Sequence, residues 1–412
     1  MTKENQQSTL TRRRILQAGG FAAALGAPIP FLDRLPAGIV PTALAQGNSD
    51  LAALKPGLTL LGDRPLNMET PPHLLDDEIT PGSRMFVRNN GLPPILTDDD
   101  IRNWRLIIDG EVATPLDLSI EDLRREFEVI SLRLQIECAG NGRRFVKPAA
   151  RGNQWSFGAI SCAEWTGVRL RDVFARAGVN ENAIYSAHYG ADTHLSGDPE
   201  KFPLSRGLPI AKALEAHTII AFSMNGGDIP ALNGHPLRLI ASGWPGSCSQ
   251  KWLNRIELRD QVHDGAKMTG QSYRVPAYPV APGTPVPDED MQIIEAMPVK
   301  SLITAPQTGV RVQAGATFEV RGHAWAGEID VDTLELSIDF GATWSPARLD
   351  RAANKYAWQH WRADIRLPEA GYYEIWARAR DSEGNFQPPV PPGWNPRGYL
   401  NNMQHRVAVF AV

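Results

Sequence analysis

The sequence predicts an α+β domain followed by an all-β sandwich of the immunoglobulin-like type. Residues 101–260 alternate short strand-like and helix-like runs, residues 261–297 form a proline-rich connection, and residues 301–412 contain alternating runs separated by turn signals. The length of 412 residues suits two or three domains. A hydrophobic content of 42% with 21% charged residues is ordinary for a globular protein.

In the first domain, strand-like runs alternate with short helices that carry their own start and stop signals. Ser119 can cap a helix whose first turn contains Asp122, and Gly178 can end another. The expected strands are 101–112, 129–137 and 237–241, and the expected helices are 119–127 and 170–177. Residues 46 to about 100 have few periodic runs, which predicts an extended arm.

The second domain is predicted from period-two alternation. The alternating runs are Thr317–Trp325, Leu334–Ile338 and Tyr372–Ala379, with turn signals at 339–341 and 381–385. This part of the sequence contains no cysteine, so the sandwich lacks an intersheet disulfide. We place the first domain at residues 46–290 and the sandwich at residues 291–412.

Residues 1–45 have the pattern of a twin-arginine export signal. Thr11–Gln17 contains three consecutive arginines, a weakly apolar stretch runs from Ala18 to about Leu32, and Ala43–Ala45 offers a cleavage site. The order of these features favours periplasmic export in the folded state over a plain secretory signal or a membrane anchor. No later segment approaches the ~20 apolar residues that span a bilayer, so the mature protein is expected to lack a membrane span.

The net charge and the cysteine positions exclude some classes of function. The formal net charge is −4 and no basic run follows the N-terminus, which argues against a nucleic-acid partner. The three cysteines, Cys138, Cys162 and Cys248, form neither a CxxC pair nor a CxxCH haem-attachment site. At least one thiol therefore remains free, and in an oxidising compartment it must be buried or bound to something.

Cys138 stands in the most informative segment, Ile136–Arg144. The cysteine follows a predicted strand and precedes a Gly/Asn turn and two arginines. Small residues let the backbone approach a bound group, and arginines favour a thiolate and hold oxyanions. The pattern fits a nucleophile, a metal ligand or a buried structural cysteine.

The Cys138 segment resembles the cysteine motif of the sulfite oxidase family, in which the thiolate binds the molybdenum of a molybdopterin cofactor. Other segments resemble that family in the same order along essentially the whole mature chain: 85–90, 155–160, 165–168, 223–226, 236–238, 250–253 and 401–407. The resemblance implies a molybdopterin-binding sulfite oxidase fold followed by an immunoglobulin-like dimerisation domain.

The resemblance also implies roles for individual residues. Cys138 would be the metal ligand, and the expected substrate pocket residues are Arg88, Arg143, Trp155, Tyr273 and Arg406. The residues expected to bind the pterin and its phosphate are Asn90, Asp192, Asn233, Arg238, Ser249 and Lys251. Asn233 occupies a position where the family often has histidine, and either Asn233 or His235 replaces that contact. Cys162 and Cys248 are interpreted as small buried fillers.

The implied reaction is oxidation of sulfite to sulfate in the periplasm. Since the chain has no haem motif, electrons would pass to a separate c-type cytochrome, and the sandwich would pair two subunits. One alternative is the molybdenum subunit of a sulfur-oxidising complex, which acts on protein-bound sulfane sulfur. A non-enzymatic exported binding protein is a weaker alternative, as is a methionine sulfoxide reductase, whose family lacks the sandwich. The sequence does not distinguish sulfite from sulfane sulfur.

Overall fold

The structure is a computed structural model that describes residues 52–412. The predicted export signal at residues 1–45 lies outside the described residues. The α-helices that are fully described are short: α1 (Asp98–Arg102), α2 (Ile120–Glu126), α3 (Leu170–Ala177) and α4 (Ile210–Ala213). Within residues 52–412, no helix is long and apolar enough to cross a membrane.

A small antiparallel sheet stands at the start of the first domain. It consists of β1 (Thr59–Asp63), β2 (Leu66–Glu69) and β3 (Val87–Arg88), in the order β1-β2-β3. Leu66, Val87 and Leu232 bury their side chains in one cluster, which attaches this sheet to the rest of the fold. The prediction of an extended arm is therefore partly wrong, because this segment forms a paired sheet whose apolar residues pack against Leu232.

The first domain contains two further sheets. Their strands are β4 (Arg105–Gly110), β5 (Leu116–Ser119), β6 (Val129–Glu137), β7 (Ile160–Arg169), β8 (Tyr185–Gly190), β9 (Gly207–Pro209), β10 (Thr218–Met224), β11 (Arg238–Ala241) and β12 (Leu253–Arg259). The four-stranded sheet has the order β11-β10-β7-β6, and the five-stranded sheet has the order β5-β4-β12-β8-β9. Only the β4–β12 pairing is parallel, and the other pairings in these sheets are antiparallel, which confirms the α+β class.

Local capping explains where the elements begin. The Ser119 side chain accepts a hydrogen bond from the Asp122 main-chain N–H and Asp122 reciprocates, so α2 starts where the sequence predicts. A second capping box at Thr97 and Asp100 makes residues 98–102 helical. The strand that we expected from residue 101 therefore begins only at Arg105.

A two-stranded pair leads into the sandwich, with β13 (Arg274–Pro276) against β14 (Met291–Ile293). The strands of the sandwich are β15 (Lys300–Ala305), β16 (Val310–Val312), β17 (Thr317–Trp325), β18 (Val331–Ser337), β19 (Ser345–Pro346), β20 (Arg348–Leu349), β21 (Gln359–Arg366), β22 (Gly371–Asp381) and β23 (His405–Ala411). They form two sheets, in the orders β15-β17-β21-β20 and β16-β23-β22-β18-β19. Val320 and Trp361 of one sheet share a core with Ile375 and Val409 of the other. The boundary between residues 290 and 291 stays a prediction.

Candidate active site

A cavity lies where β6 ends. Nine of the residues that the sequence analysis selected line it: Arg88, Asn90, Cys138, Asp192, Asn233, Arg238, Ser249, Lys251 and Tyr273. The other three, Arg143, Trp155 and Arg406, are not part of this wall.

Cys138 is the first residue after β6 and has only 6% of its surface exposed. Its main-chain N–H donates to the Ala159 oxygen at 2.9 Å, and its own oxygen accepts from Asn141 N at 2.8 Å. It packs with Met85 and Trp155 and forms no disulfide. A free, buried thiol therefore stands in the cavity wall on a rigid turn.

Glu137 holds this turn from the sandwich side. Its buried carboxylate accepts hydrogen bonds from Lys300 Nζ at 2.6 Å, Trp325 Nε1 at 2.9 Å and Asn141 Nδ2 at 2.9 Å. Lys300 and Trp325 belong to β15 and β17. Because a buried carboxylate is stable only when it is paired and hydrogen-bonded, Glu137 couples the position of Cys138 to the sandwich.

Arg143 stands beside the turn that follows Cys138, next to the residues that line the cavity. Its Nε donates to the Arg397 main-chain oxygen at 2.5 Å, and Nη1 donates to the Asn153 oxygen at 2.8 Å. A Cβ atom on Gly140 would stand 2.3 Å from Arg143 Nη2, so the guanidinium would have to move to admit one. Burial lowers the pKa of Arg143, and the electrostatic effect of Cys138 opposes this shift. The guanidinium therefore lies within the electrostatic range of the thiol.

Of the other residues expected in the substrate pocket, Arg88 and Tyr273 line the cavity and Trp155 does not. Arg88 is carried by β3, and its Nη2 donates to Asn90 Oδ1 at 2.8 Å. Trp155 is fully buried behind the wall, with its ring edge-on to Phe86 at 6.1 Å.

Two basic side chains, Arg238 and Lys251, also line the cavity. Burial lowers the pKa of Arg238 to about 9. Burial also lowers the pKa of Lys251 well below its usual range, and the charge of Arg238 adds to this shift. Burial raises the pKa of Asp192 to about 6 against the opposing effect of Lys251. All three shifts disfavour the charged form, which indicates that these groups lie in a poorly solvated space.

Asn233, rather than His235, lines the cavity. Its Oδ1 accepts from Lys55 Nζ at 2.6 Å, and its Nδ2 donates to the Phe86 oxygen at 3.0 Å. The side chain of Asn233 is therefore fixed by two protein contacts. Lys55 belongs to the N-terminal segment of the first domain, and no sequence motif predicted its position here.

Basic side chains without carboxylate partners and buried polar atoms without hydrogen bonds indicate which kind of ligand the cavity binds. Within residues 52–412, no carboxylate lies within 4.0 Å of the charged nitrogens of Arg88, Arg143, Arg238 or Lys251. Three lining residues each carry a buried polar atom without a hydrogen-bond partner, namely Asp192 Oδ1, Ser247 Oγ and Gln250 Oε1. Buried charges and polar atoms are costly without partners. The cavity therefore fits a polar, anionic ligand beside a thiol.

Arg397 also belongs to this region, although the sequence analysis did not select it. Its Nε atom is buried without a hydrogen-bond partner, and its main-chain oxygen receives the bond from Arg143. Burial lowers the pKa of Lys267, and the charges of Arg88 and Arg397 lower it further. The only sequence signal was an arginine between proline and glycine in residues 394–398.

Arg406 lies elsewhere. Its guanidinium carbon lies 4.4 Å from the ring centroid of Trp376, and Nη1 is 3.7 Å from Glu374 Oε2. Along β23 the buried side chains alternate with more exposed ones, and Arg406 stands on the more exposed face between His405 and Val407. The prediction that Arg406 lies near the anion is therefore not supported by its position.

Comparison with known proteins agrees with this geometry. Residues 92–267 match the family model of the oxidoreductase molybdopterin binding domain, and residues 291–411 match the Mo-co oxidoreductase dimerisation domain. Sulfite oxidase from Gallus gallus is 32% identical over 362 residues, which cover 85% of this chain and 77% of that protein. The chain belongs to the sulfite oxidase family.

Two further relatives define the extent of the match. The mitochondrial sulfite oxidase of Macaca fascicularis is 34% identical over 370 residues, which cover 86% of this chain and 66% of that protein. This chain thus spans slightly less than two thirds of the macaque relative. The crystal structure of the sulfane dehydrogenase SoxCD from Paracoccus pantotrophus superimposes with a TM-score of 0.71 at 25% identity, covering 92% of this chain and 96% of that chain.

The family's cofactor fits the residues that are present. Cys138 supplies one soft ligand of the kind that thiolate-bound metals need, and Arg238, Ser249 and Lys251 surround the space for a phosphorylated pterin. The unpartnered atoms of Asp192 and Gln250 offer hydrogen bonds to its polar rings.

Proposed function

We propose that this protein oxidises sulfite to sulfate with a molybdenum–molybdopterin cofactor and passes the electrons to a separate c-type cytochrome. The observation that carries the proposal is the free, buried thiol of Cys138 near basic side chains that form no ion pair with any carboxylate of residues 52–412. A dianionic substrate would compensate these charges, and the family relationship supplies the chemistry.

The chain's own residues would bind and orient the anion. Arg143 and Arg397 would hold sulfite oxygens through their guanidinium groups, which bind oxyanions in a bidentate manner. Arg88 stands near enough to add its positive charge, since it acts electrostatically on both Arg143 and Lys267. Tyr273 would hydrogen-bond the substrate from the cavity wall. When bound through Cys138, the molybdenum–pterin group would supply the two-electron oxidation and the transfer of oxygen.

A second candidate substrate is sulfane sulfur bound to a carrier protein. It is favoured by the overall superposition on the Paracoccus sulfane dehydrogenase, which covers 92% of this chain. In both cases the oxidised product is an oxyanion, so the same cationic site would serve. The weaker idea of a non-enzymatic binding protein disagrees with the match to an oxidoreductase domain.

We also propose that the protein is exported to the periplasm by the twin-arginine route and acts as a homodimer. The pattern around Arg12 and Arg13 supports the export route, and the dimerisation-domain match supports the dimer. Replacing Arg12 and Arg13 by lysine should retain the protein in the cytoplasm of cells in which the unaltered chain reaches the periplasm. Sedimentation equilibrium should give twice the mass of one mature chain.

The deciding experiment measures molybdenum content together with sulfite-dependent reduction of ferricyanide. About one molybdenum per chain and rapid reduction would support a sulfite-oxidising enzyme. Molybdenum with no sulfite activity, but with oxidation of a peptide that carries a cysteine persulfide, would favour the sulfane-sulfur candidate. Absence of molybdenum from protein made in a host with a complete cofactor pathway would overturn the proposal.

A further inference from the structure

Four side chains form a stack in which cations enclose two aromatic rings beside the cavity. The guanidinium carbon of Arg206 lies 4.9 Å from the centroid of the Tyr273 ring. The Tyr273 ring stacks on the Tyr399 ring with centroids 5.6 Å apart and an interplanar angle of 12°. The guanidinium carbon of Arg143 then lies 5.1 Å from the centroid of Tyr399. We call this set the Arg–Tyr–Tyr–Arg stack.

Arg206 forms the inner end of the stack. It is fully buried, and no ion pair involving it occurs in residues 52–412. Its Nη1 donates to the Lys267 oxygen at 3.4 Å, its Nη2 faces Cys248 Sγ at 3.6 Å, and its Nε has no partner. These contacts are long or weak. The face of the Tyr273 ring is therefore a main source of stabilisation for this charge, since cation–π attraction is strongest for desolvated cations.

Tyr399 forms the link to the Cys138 turn. Asn395 Oδ1 accepts from Tyr399 N at 2.9 Å, and Asn395 Nδ2 donates to the Tyr399 oxygen at 3.0 Å. The next residue, Leu400, donates its main-chain N–H to the Ala139 oxygen at 3.0 Å. The ring of Tyr399 is therefore held by a loop that is itself bonded to the residue after Cys138.

Tyr273 needs such support. Its φ angle of 53° lies in the left-handed region, which a bulky side chain adopts only when the surroundings hold it. The main-chain oxygen of Tyr273 accepts from Ile294 N at 3.0 Å, and the ring is enclosed by Arg206 and Tyr399. Loss of either neighbour would free the ring to move within the cavity wall.

We propose that Arg206 and Tyr399 are positioning residues. They hold the side chains of Tyr273 and Arg143 in the orientation that binds an oxyanion. Neither residue lines the cavity, so each acts through its neighbour in the stack. The inference rests on the proposed function for the identity of the substrate. It goes beyond that function because it assigns substrate affinity to two residues that do not contact the substrate.

The test uses the molybdenum-loaded protein and sulfate, the product anion, as an equilibrium probe. Tyr399→Leu removes the ring, Tyr399→Phe keeps it, and Arg206→Met removes the cation while retaining apolar length. Tyr372→Leu is the matched control, because Tyr372 is half-exposed on β22 and distant from the stack in the fold. Each variant is characterised by molybdenum content, KM and kcat for sulfite, and the calorimetric Kd for sulfate.

We expect Tyr399→Leu and Arg206→Met to raise both KM and the sulfate Kd about tenfold, with kcat changed less than about threefold. Tyr399→Phe and Tyr372→Leu should behave like the unaltered enzyme. Unchanged KM and Kd in Tyr399→Leu would overturn the inference. If Tyr399→Leu does not fold, unchanged values in Arg206→Met overturn it equally.

The two proposals fail in different ways. If the unaltered, molybdenum-loaded protein binds sulfate but does not oxidise sulfite, the proposed function fails and the sulfate affinities of the variants still test the stack. If it oxidises sulfite and all variants retain its KM and Kd, only the stack fails.

Discussion

Arg143 Nε donates a hydrogen bond of 2.5 Å to the main-chain oxygen of Arg397, across 254 positions of sequence. This bond brings the turn after Cys138 together with a loop that follows β22. The Nε atom of Arg397 has no partner of its own. The C-terminal domain thus places Arg397 beside Arg143 and the turn that follows Cys138.

The first prediction compares two arginines of the C-terminal domain. Arg397→Gln should raise KM for sulfite by roughly tenfold to a hundredfold, because a charge-assisted hydrogen bond to the anion contributes about 1.5–3 kcal/mol. Steady-state kinetics with sulfite measures this effect.

Arg406→Gln is the matched control. Its guanidinium contacts Trp376 and Glu374 on the sandwich, so KM should stay within about twofold of the unaltered value. A large rise in KM for Arg406→Gln with none for Arg397→Gln would reverse the assignment.

The second prediction concerns Cys138. Cys138→Ser should fold normally, because serine is nearly isosteric and the main-chain bonds to Ala159 and Asn141 remain. Sulfite oxidation should fall at least a hundredfold, since a hydroxyl is a poor substitute for a soft thiolate ligand. Near-ultraviolet circular dichroism checks folding, and turnover per molybdenum checks the ligand role.

Cys162→Ala provides the comparison for Cys138→Ser. Burial raises the pKa of the Cys162 thiol to about 12, so this thiol stays protonated and unreactive at neutral pH. The variant should retain activity and lose only the modest stability that goes with a small buried group. Full activity in Cys138→Ser would remove the residue from the metal site.

The third prediction uses the glycine beside Arg143. In Gly140→Ala the new Cβ would stand 2.3 Å from Arg143 Nη2, so the guanidinium must move. Such overpacking typically costs about 1–3 kcal/mol, and part of it should appear as a rise in KM for sulfite. Gly393→Ala is the control, because an added Cβ there meets no atom within 4 Å. Equal KM values in the two variants would contradict this account of how Arg143 is held.

The sequence predicted most elements that depend on local chemistry. The strand over Val129–Glu137 and the helix over Leu170–Ala177 have the expected bounds, because alternation and the stop at Gly178 are local signals. The strand expected from residue 101 begins at Arg105 instead, because the capping box at Thr97 makes residues 98–102 helical.

The site residues that belong to a sequence motif were predictable. Those that reach the site only when distant segments fold together were not. Nine of the chosen residues share one cavity because the family motif includes them. Arg397 and Lys55 were missed because their positions depend on how distant segments fold onto the first domain. The role expected for Arg406 stays a prediction, and the residue stands on the more exposed face of β23.

The fourth prediction concerns the pH dependence of stability. Burial raises the pKa of Asp192 to about 6 from the ordinary aspartate value of 3.8. Between these values the folded protein holds a proton that the unfolded chain has lost, so stability falls as pH rises through this window. The full effect is on the order of 3 kcal/mol. In the cofactor-free protein, Asp192→Asn should therefore raise the melting temperature at pH 7, with the gain disappearing toward pH 4.

An exposed carboxylate should not show this behaviour. Asp332 stands exposed on β18, so the melting temperature of Asp332→Asn should follow that of the unaltered protein at every pH. Asp192→Asn should at the same time bind the cofactor less well, because the unpartnered Oδ1 atom of Asp192 faces the cavity that we assign to the pterin. A melting temperature for Asp192→Asn that is unchanged at pH 7 would show that Asp192 is not held charged in a desolvated site.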